Sequence, residues 1–359
     1  MTSFPDIFLE PGCISKLGDI TAHRSIAVVF YHHASAKLMS TIRTLLSGNL
    51  LSSFRCPPGL LTIEIAQSMQ RGLWKSISDE IPILIAIGGG STIDLAKAMR
   101  FDFPINIPLQ NLLDRPIAKD TYTSCPLIAV PTTAGTGSEV SPTSTIWNPY
   151  EGKKHSLFGP AVIPDIALID SDLCLGTPWE ITRDSAVDAL SHALESIWNI
   201  HSTAESDQLA ITAAQTIVSQ LPMARQNPTD RSIRANLSEA ALHAGKAMAM
   251  TQTAIVHALS YDDTLASGLS HGHACARWLA PALQLAKSIR PDLAPKLDEA
   301  LGTALSQPYA LHDWLQGLGF SNCVTPHPSQ KDTERIQRAL HSTRGKNFIV
   351  PKHHEFEPF

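Results

Sequence analysis

Apolar residues in the first half of the chain fall into short continuous runs separated by amphipathic stretches. Runs rich in Ile, Val and Leu that end in turn residues are typical of strands buried on both faces of a parallel sheet. The segments TIEIAQSMQRGLWKSI and STIDLAKAMR have helical spacing, and their position between such runs predicts a parallel sheet with right-handed crossovers. The predicted strands are SIAVVFY (25–31), PILIAIGGG (82–90), PLIAVPTT (126–133) and DIALID (165–170).

The pattern changes after about residue 178. Segments such as ITRDSAVDALSHALESIWNI and SDQLAITAAQTIVSQL are rich in Ala and Leu and repeat their apolar positions every 3.6 residues. We therefore expect an α/β domain over residues 1–178 and an all-α domain over residues 179–359. The segment from about Asn322 is polar and interrupted by prolines, so the sequence leaves open whether it is ordered in the structure.

Composition excludes several classes of protein. The 359 residues include 28 Lys and Arg against 33 Asp and Glu, a formal net charge of −5, which argues against nucleic-acid binding. A hydrophobic fraction of 43% argues against disorder. The lack of a run of about 18 apolar residues argues against a membrane span, and the lack of a signal-peptide pattern argues against export. Six scattered cysteines without CxxC spacing disfavour disulfides and a zinc cluster. We expect a soluble cytoplasmic protein, and a homo-oligomer is compatible with the sequence.

Two glycine-rich blocks follow predicted strands. Gly88, Gly89, Gly90 and Ser91 open the predicted helix TIDLAKAMR, where backbone N–H groups and the helix N-terminus suit a pyrophosphate. This block is not GxGxxG, and a tight turn with Ser91 or Thr92 as the helix N-cap explains it equally well. The second block, PTTAGTGSEV (131–140), follows another strand, where parallel sheets bind ligands, although structural loops also collect Thr and Gly.

The helical half contains residues that can bind a metal ion. Asp188 and His192 are spaced i, i+4 and share a helix face, and His257 and His271 lie further along. One carboxylate oxygen and three imidazole nitrogens can form a site for Fe(II) or Zn(II). The chain has 15 histidines, and each one taken alone fits a capping or surface position better than a metal ligand.

Five segments, taken in order, resemble the iron-containing (group III) alcohol dehydrogenase family of the dehydroquinate synthase-like superfamily. The resemblance runs from FLEPGCISKLGDI to about Ala276, and its segments are GGGSTIDLAKA, PTTAGTGSEVSPTSTI, IPDIALIDSDL, VDALSHALES and HALSY...SHGHACA. It implies an N-terminal dinucleotide domain and a C-terminal helical domain that binds metal and substrate.

The resemblance also implies roles for individual residues. The family's metal ligands fall on Asp188, His192, His257 and His271. Its NAD(P) contacts fall on the residues Gly88, Gly89, Gly90, Ser91, Asp94, Thr132, Thr133, Ser138 and Lys154.

The sequence departs from the family pattern at two places. Many members have a further His four residues after the third ligand, near the nicotinamide, where this chain has Tyr261, so Tyr261 or a water chain would have to carry the proton. The acidic residue that NAD-preferring relatives have after the second strand is also missing, because the chain reads VVFYHHASAK there. Without a carboxylate to repel a 2′-phosphate, NADP(H) is compatible as well as NAD(H).

The segments HALSY and SHGHACA are similar to the corresponding segments of phosphonoacetaldehyde reductases. That similarity implies reduction of a small anionic aldehyde to 2-hydroxyethylphosphonate, with the metal polarising the carbonyl and the nicotinamide supplying hydride. Lys246, His273 and Arg277 flank the ligand segments and could bind the anion, although ordinary surface charge explains them equally well.

Three alternatives remain. One is a reductase of an uncharged short aldehyde, such as lactaldehyde, on the same metal site. Another is a nucleotide-binding relative that has lost catalysis, against which the retention of all four apparent ligands argues. The third is a lyase like dehydroquinate synthase, against which the PTTAGTGSEV segment argues.

Overall fold

The computed structural model describes residues 4–22, 24–46, 48–78 and 80–349. Contacts divide these residues into two compact units. The first contains the described residues up to Thr133 together with Ser138–Leu175, and the second contains Ala134–Gly137 and the described residues from Gly176 onward. The chain therefore changes unit between Leu175 and Gly176, and a short loop of the first half belongs to the second unit.

The first unit is built on a six-stranded parallel sheet with strand order β1-β8-β5-β4-β2-β3 and includes a separate antiparallel hairpin, β6-β7. The strands are β1 (Asp6–Leu9), β2 (Ile26–Phe30), β3 (Leu50–Arg55), β4 (Ile83–Gly88), β5 (Leu127–Pro131), β6 (Thr143–Asn148), β7 (Lys153–Phe158) and β8 (Ile166–Ile169). The helices are α1 (Leu17–Ile20), α2 (Ala36–Leu45), α3 (Ile63–Ser76) and α4 (Gly90–Met99).

Both faces of the parallel sheet are buried. In β2, Ala27 and Val29 pack into one apolar cluster, while Ile26, Val28 and Phe30 pack into another on the opposite face. This two-sided burial explains why the central strands are continuous apolar runs, as predicted. Strand β3 is different, because every second residue is exposed in LLSSFR, and the sequence pattern did not reveal it.

The second unit is helical, which confirms the predicted all-α half. Its helices are α5 (Trp179–Ile197), α6 (Ala204–Gln226), α7 (Arg231–Thr251), α8 (Ile255–Ser267), α9 (His271–Ile289), α10 (Ala294–Leu305), α11 (Pro308–Gly317) and α12 (Gln330–Leu340). One apolar cluster contains buried residues from all of these helices. The segment after Asn322, whose order was left open, contains α12, which buries Ile336 and Ala339; residues 350–359 lie outside the described part. Across the described ranges, no helix has both the length and the apolarity needed to cross a membrane.

The loop Ala134–Gly137 packs closely on the helices of the second unit. A Cβ added at Gly135 would lie 2.7 Å from Ser185 Cβ, and one at Gly137 would lie 2.4 Å from Gly245 Cα. Gly137 also has a φ of +63°, which disfavours any other residue. The glycines of the second block are therefore required by close packing, whatever the neighbouring hydroxyls do.

We predict that Gly137→Ala lowers the free energy of unfolding by roughly 2–4 kcal/mol, because it adds both backbone strain and a clash with the α7 backbone. Gly268→Ala is the matched control, since Gly268 has the same φ of +63° but no neighbour within 4 Å. The control should cost only about 1 kcal/mol, from backbone strain alone. Urea denaturation of both variants tests this, and equal losses would show that packing at Gly137 contributes nothing.

Candidate metal and nucleotide sites

The predicted metal ligands converge in the second unit. Asp188 and His192 lie on α5, His257 lies in the first turn of α8, and His271 is the first residue of α9. The Nε2 atoms of His257, His271 and His192 lie 3.6, 3.7 and 3.9 Å from Asp188 Oδ1. One buried carboxylate oxygen therefore has three imidazole nitrogens around it.

One further side chain belongs to this group. The Sγ atom of Cys275 lies 3.9 Å from both Asp188 Oδ1 and His271 Nε2. Donor atoms of Asp188, His257, His271 and Cys275 all lie within 4.8 Å of one another. His192 is outside that group of four, although its ring stacks on that of His257 with centroids 4.7 Å apart.

Glu195 fixes the position of His257. Its carboxylate lies on α5, is fully buried, and accepts hydrogen bonds from the backbone N–H groups of Ala254, Val256 and His257 at 2.5 to 3.2 Å. The N-cap of α8, Ala254, provides no side-chain cap, so Glu195 caps this helix from a neighbouring one. Its Oε2 also lies 2.6 Å from His257 Nδ1, which directs the other ring nitrogen toward Asp188.

Close contact between helices holds His271 in place. A Cβ on Gly272, the next residue, would lie only 1.8 Å from the backbone oxygen of Asp184 on α5. The hydroxyl of Ser270, the N-cap of α9, donates a hydrogen bond to the Asp184 carboxylate. The start of α9 is therefore fixed against α5 one turn before Asp188.

The charges of this cluster are strongly coupled. Burial alone would raise the pKa of Asp188, but the imidazoles of His192, His271 and His257 hold it well below its ordinary value. Burial would lower the pKa of His257, but Cys275, Glu195 and Asp188 raise it well above its ordinary value. A proton on these imidazoles competes directly with a cation for the same nitrogen atoms.

The donor set fits a divalent transition-metal ion. Ligands 2.0–2.2 Å from a tetrahedral ion lie about 3.3–3.6 Å apart, and the distances from Asp188 Oδ1 to the three imidazole nitrogens, 3.6–3.9 Å, are close to that range. The Nε2 atom of His257 is buried and makes no hydrogen bond within the described part of the chain. A buried nitrogen in this state, aimed at a carboxylate beyond hydrogen-bond distance, has the environment of a metal ligand.

Tyr261 lies beside this cluster. It is half-buried on α8, one turn after His257, and its ring is nearly parallel to that of His271 with centroids 6.5 Å apart. The side chain is therefore adjacent to a predicted ligand, as a proton-transfer role requires.

The three residues predicted to bind the substrate anion have different environments. The guanidinium of Arg277 lies 2.8 Å from Asp263 Oδ1 and donates to the carbonyl of Asn322. His273 Nε2 lies 3.1 Å from the carbonyl of Ser321, while Lys246 is half-buried on α7. Arg277 and His273 thus hold the segment after α11 in place, and a substrate role for any of the three stays a prediction.

The first glycine-rich block joins a strand directly to a helix, as predicted. Strand β4 ends at Gly88 and α4 begins at Gly90, with Gly89 as an extended N-cap that makes no side-chain hydrogen bond. The alternative prediction of Ser91 or Thr92 as the N-cap is therefore wrong. A Cβ on Gly88 would lie 2.4 Å from Thr92 Oγ1, so close packing excludes a side chain there. The first-turn N–H groups of a helix lack intrahelical acceptors and can bind a phosphate.

Two residues predicted to contact nucleotide bind each other. Ser138 Oγ donates to Asp94 Oδ1 at 2.5 Å, and the backbone N–H of Thr145 donates to Oδ2 at 2.8 Å. Burial raises the pKa of Asp94, while Lys97 and Lys154 act in the opposite direction. Asp94 thereby links α4 to the hairpin that carries Lys154 in β7.

Lys97 and Glu139 are buried charges of the same region. Lys97 Nζ donates to the carbonyls of Ser141 and Thr143 at 2.9 and 2.7 Å, and burial lowers its pKa to about 8. Burial raises the pKa of Glu139 to about 7, against the opposing effect of Lys97.

The remaining predicted nucleotide contacts lie around the same loop. The backbone N–H of Thr132 donates to the carbonyl of Gly88 at 3.0 Å, and a Cβ added at Gly89 would lie 3.1 Å from Thr133 Oγ1. Together with Gly90 and the exposed Ser91, these residues surround the end of β4. Their contact with a nucleotide stays a prediction.

Both halves of the chain match known protein families. Residues 5–171 match the family described as "Iron-containing alcohol dehydrogenase", and residues 182–340 match "Fe-containing alcohol dehydrogenase family, C-terminal". The chain belongs to the iron-containing alcohol dehydrogenase family. This confirms the predicted family and places the chain among oxidoreductases.

Individual relatives in the family differ in how much of the chain they match. A phosphonoacetaldehyde reductase of Streptomyces viridochromogenes is 37% identical over 56% of this chain and 52% of its own length, so the match spans about half of that protein. The probable alcohol dehydrogenase EutG of Escherichia coli is 30% identical over 85% of this chain and 78% of its own length.

A solved structure supports the predicted dehydroquinate synthase-like fold. The sulfoacetaldehyde reductase of Bifidobacterium kashiwanohense, in complex with NAD+, superposes with a TM-score of 0.84 at 22% identity, covering 98% of this chain and 94% of that one. At this identity the similarity shows the fold alone. It confirms a parallel-sheet N-terminal domain followed by a helical C-terminal domain.

Sequence reasoning missed Glu195 and Cys275. Both carried a signal, because Glu195 is seven residues after Asp188 and Cys275 is four residues after His271. Each spacing places the residue on the same helix face as a predicted ligand.

We predict that Glu195→Gln lowers the affinity for a divalent metal roughly 10- to 100-fold, because the amide cannot accept all the hydrogen bonds that orient His257. Metal affinity is measured by competition with a chromophoric chelator. Thr203→Ala is the control: it removes the side-chain cap of α6, which costs about 1 kcal/mol of stability, and should leave metal affinity unchanged. If both variants lose metal affinity equally, general destabilisation explains the loss.

We also predict that Glu139→Gln changes the pH dependence of stability. A pKa raised from 4.5 to about 7 means that the folded state holds this proton more tightly than the unfolded chain. The stabilisation is complete below pH 4.5 and is lost as the pH rises through about 7, by roughly 1–3 kcal/mol. Unfolding free energies measured from pH 5 to 7.5 should therefore fall in the parent relative to Glu139→Gln. The exposed Glu64→Gln should behave like the parent, and a parent curve parallel to that of Glu139→Gln contradicts the prediction.

Proposed function

We propose that this protein is a metal-dependent, nicotinamide-linked reductase that converts a small aldehyde into a primary alcohol. The observation that carries the proposal is the convergence of three imidazole nitrogens within 3.9 Å of the buried Asp188 carboxylate. Membership in the iron-containing alcohol dehydrogenase family supports the reaction class. The presence of all four predicted metal ligands argues against a nucleotide-binding relative that has lost catalysis.

Different residues would bind the metal ion and the nucleotide. Asp188, His192, His257 and His271 would hold Fe(II) or Zn(II), and the loop Gly88–Ser91 would bind the pyrophosphate of NAD(P)H. When bound, the cation supplies Lewis acidity toward a carbonyl oxygen and the nicotinamide supplies hydride. Glu195 keeps the ring of His257 in the orientation that presents Nε2.

Tyr261 is the proposed proton carrier. Its position next to His271, one turn after His257, replaces the further histidine of many family members. We propose that Tyr261 Oη gives its proton to the alkoxide oxygen that hydride transfer to the aldehyde leaves, which yields the alcohol, and that the tyrosinate then takes up another proton from solvent.

The proposed substrate is a small anionic aldehyde, with phosphonoacetaldehyde as the first candidate. The Streptomyces relative is a phosphonoacetaldehyde reductase, and the superposed Bifidobacterium structure is a sulfoacetaldehyde reductase. In both of these aldehydes, an anionic group is attached to the carbon next to the aldehyde carbon. Lys246, on α7, is the proposed binding cation, because a cation that flanks the metal-ligand segments suits an anionic substrate.

The residues that follow β2 bear on the choice between NADH and NADPH. Tyr31 is followed by the exposed His32 and His33, and no carboxylate stands among these three residues. We propose that the protein accepts NADPH as well as NADH.

An uncharged short aldehyde is the second candidate substrate. The EutG relative, a probable alcohol dehydrogenase, matches 85% of this chain, which is more than the phosphonoacetaldehyde reductase matches.

The test is an anaerobic turnover assay of the Fe(II)- or Zn(II)-loaded chain with phosphonoacetaldehyde and acetaldehyde, each with NADH and NADPH. We expect a higher kcat/KM for phosphonoacetaldehyde. Lys246→Met should lower that value roughly 10- to 100-fold, the usual range for loss of a hydrogen bond to a charged group, and leave acetaldehyde turnover unchanged.

Two further variants complete the assay. Tyr261→Phe should lower kcat for both aldehydes about equally, because proton transfer does not depend on the anion. His201→Ala is the control, since His201 is exposed in the same unit and should leave turnover unchanged. A preference for acetaldehyde would favour the second candidate, and no turnover of either aldehyde by metal-loaded protein would contradict the proposed function.

A further inference from the structure

A buried thiol stands among the predicted metal ligands. Cys275 is fully buried and is a free cysteine. It lies on α9, one helical turn after His271, so both side chains are on the same helix face. Its Sγ atom is 3.9 Å from Asp188 Oδ1 and 3.9 Å from His271 Nε2.

A second observation points to a ligand at this position. His257 Nε2, 2% exposed as a residue, makes no hydrogen bond in the described part of the chain and lies 3.6 Å from Asp188 Oδ1. The donor atoms of Asp188, His257, His271 and Cys275 lie mutually within 4.8 Å, a separation that a shared cation would shorten.

We propose that Cys275 is an additional metal ligand of this protein, bound as a thiolate. The inference rests on the proposed metal site and adds one sulfur donor to the carboxylate and the imidazoles. On binding, a metal–sulfur bond forms and the thiol proton leaves to solvent, with no change in oxidation state.

A thiolate changes which ions the site prefers. Together with Asp188 it supplies two negative charges, which balance the charge of a divalent ion. Sulfur ligands favour Zn(II), Co(II) and Fe(II) over Mg(II) and Mn(II), which prefer oxygen. The proposal therefore gives the site a softer ligand set than one carboxylate and three imidazoles provide.

Cobalt substitution tests the proposal with a readout that is independent of turnover. The chain is stripped with a chelator and loaded anaerobically with Co(II), and its absorption spectrum and metal content are recorded. We expect one Co(II) per chain, visible d–d bands, and an intense near-ultraviolet sulfur-to-cobalt charge-transfer band. Cys275→Ser should keep the cobalt and the visible bands and lose the charge-transfer band.

Cys323→Ser is the matched control, because Cys323 is a half-buried thiol of the same unit outside the donor group. It should keep the charge-transfer band. Bound cobalt without that band in the parent chain, or a band that survives in Cys275→Ser, overturns the proposal and leaves the proposed function intact. A parent chain that binds no cobalt overturns the metal site itself.

Zinc X-ray absorption covers the case in which Cys275→Ser does not fold. The zinc-loaded parent chain should show a sulfur scatterer at about 2.3 Å, and a shell of nitrogen and oxygen alone would overturn the assignment of Cys275.

Discussion

The buried carboxylate of Asp188 sets the main physical constraint on the helical unit. A charged group removed from water is costly unless charges and hydrogen bonds compensate for it. Here the compensation comes from His192 on the same helix and from His257 and His271 on two others. These contacts join α5, α8 and α9 at one buried oxygen.

The surrounding residues serve that geometry. Glu195 caps α8 and fixes the ring of His257, while the lack of a side chain at Gly272 lets α9 approach α5 closely. The sheet unit has a similar arrangement around Asp94, where Lys97, Ser138 and the backbone of Thr145 surround a half-buried carboxylate. In each unit, groups from separate helices and strands surround a carboxylate beside a predicted binding site. These contacts fix the geometry of the site.

Much of the fold and of the site could be predicted from the sequence, for physical reasons. The central strands are buried on both faces, so their apolar runs are unambiguous, and the spacing of Asp188 and His192 places them on one helix face. The edge strands β1 and β3 and the hairpin strand β7 were missed because half-exposed short strands carry weak patterns, and β6 was missed although four of its six residues are buried. Glu195 and Cys275 were missed because their importance depends on which helices meet, and single-sequence spacing does not contain that information.

The role of the Asp188 carboxylate is tested most directly by the metal content of Asp188→Asn after loading with Zn(II) and removal of free ion by dialysis. We expect one Zn(II) per chain in the parent and in Asp262→Asn, whose carboxylate is exposed on α8, and loss of the ion in a folded Asp188→Asn variant. A folded Asp188→Asn chain that retains Zn(II) as tightly as the parent would contradict a metal site built on this carboxylate.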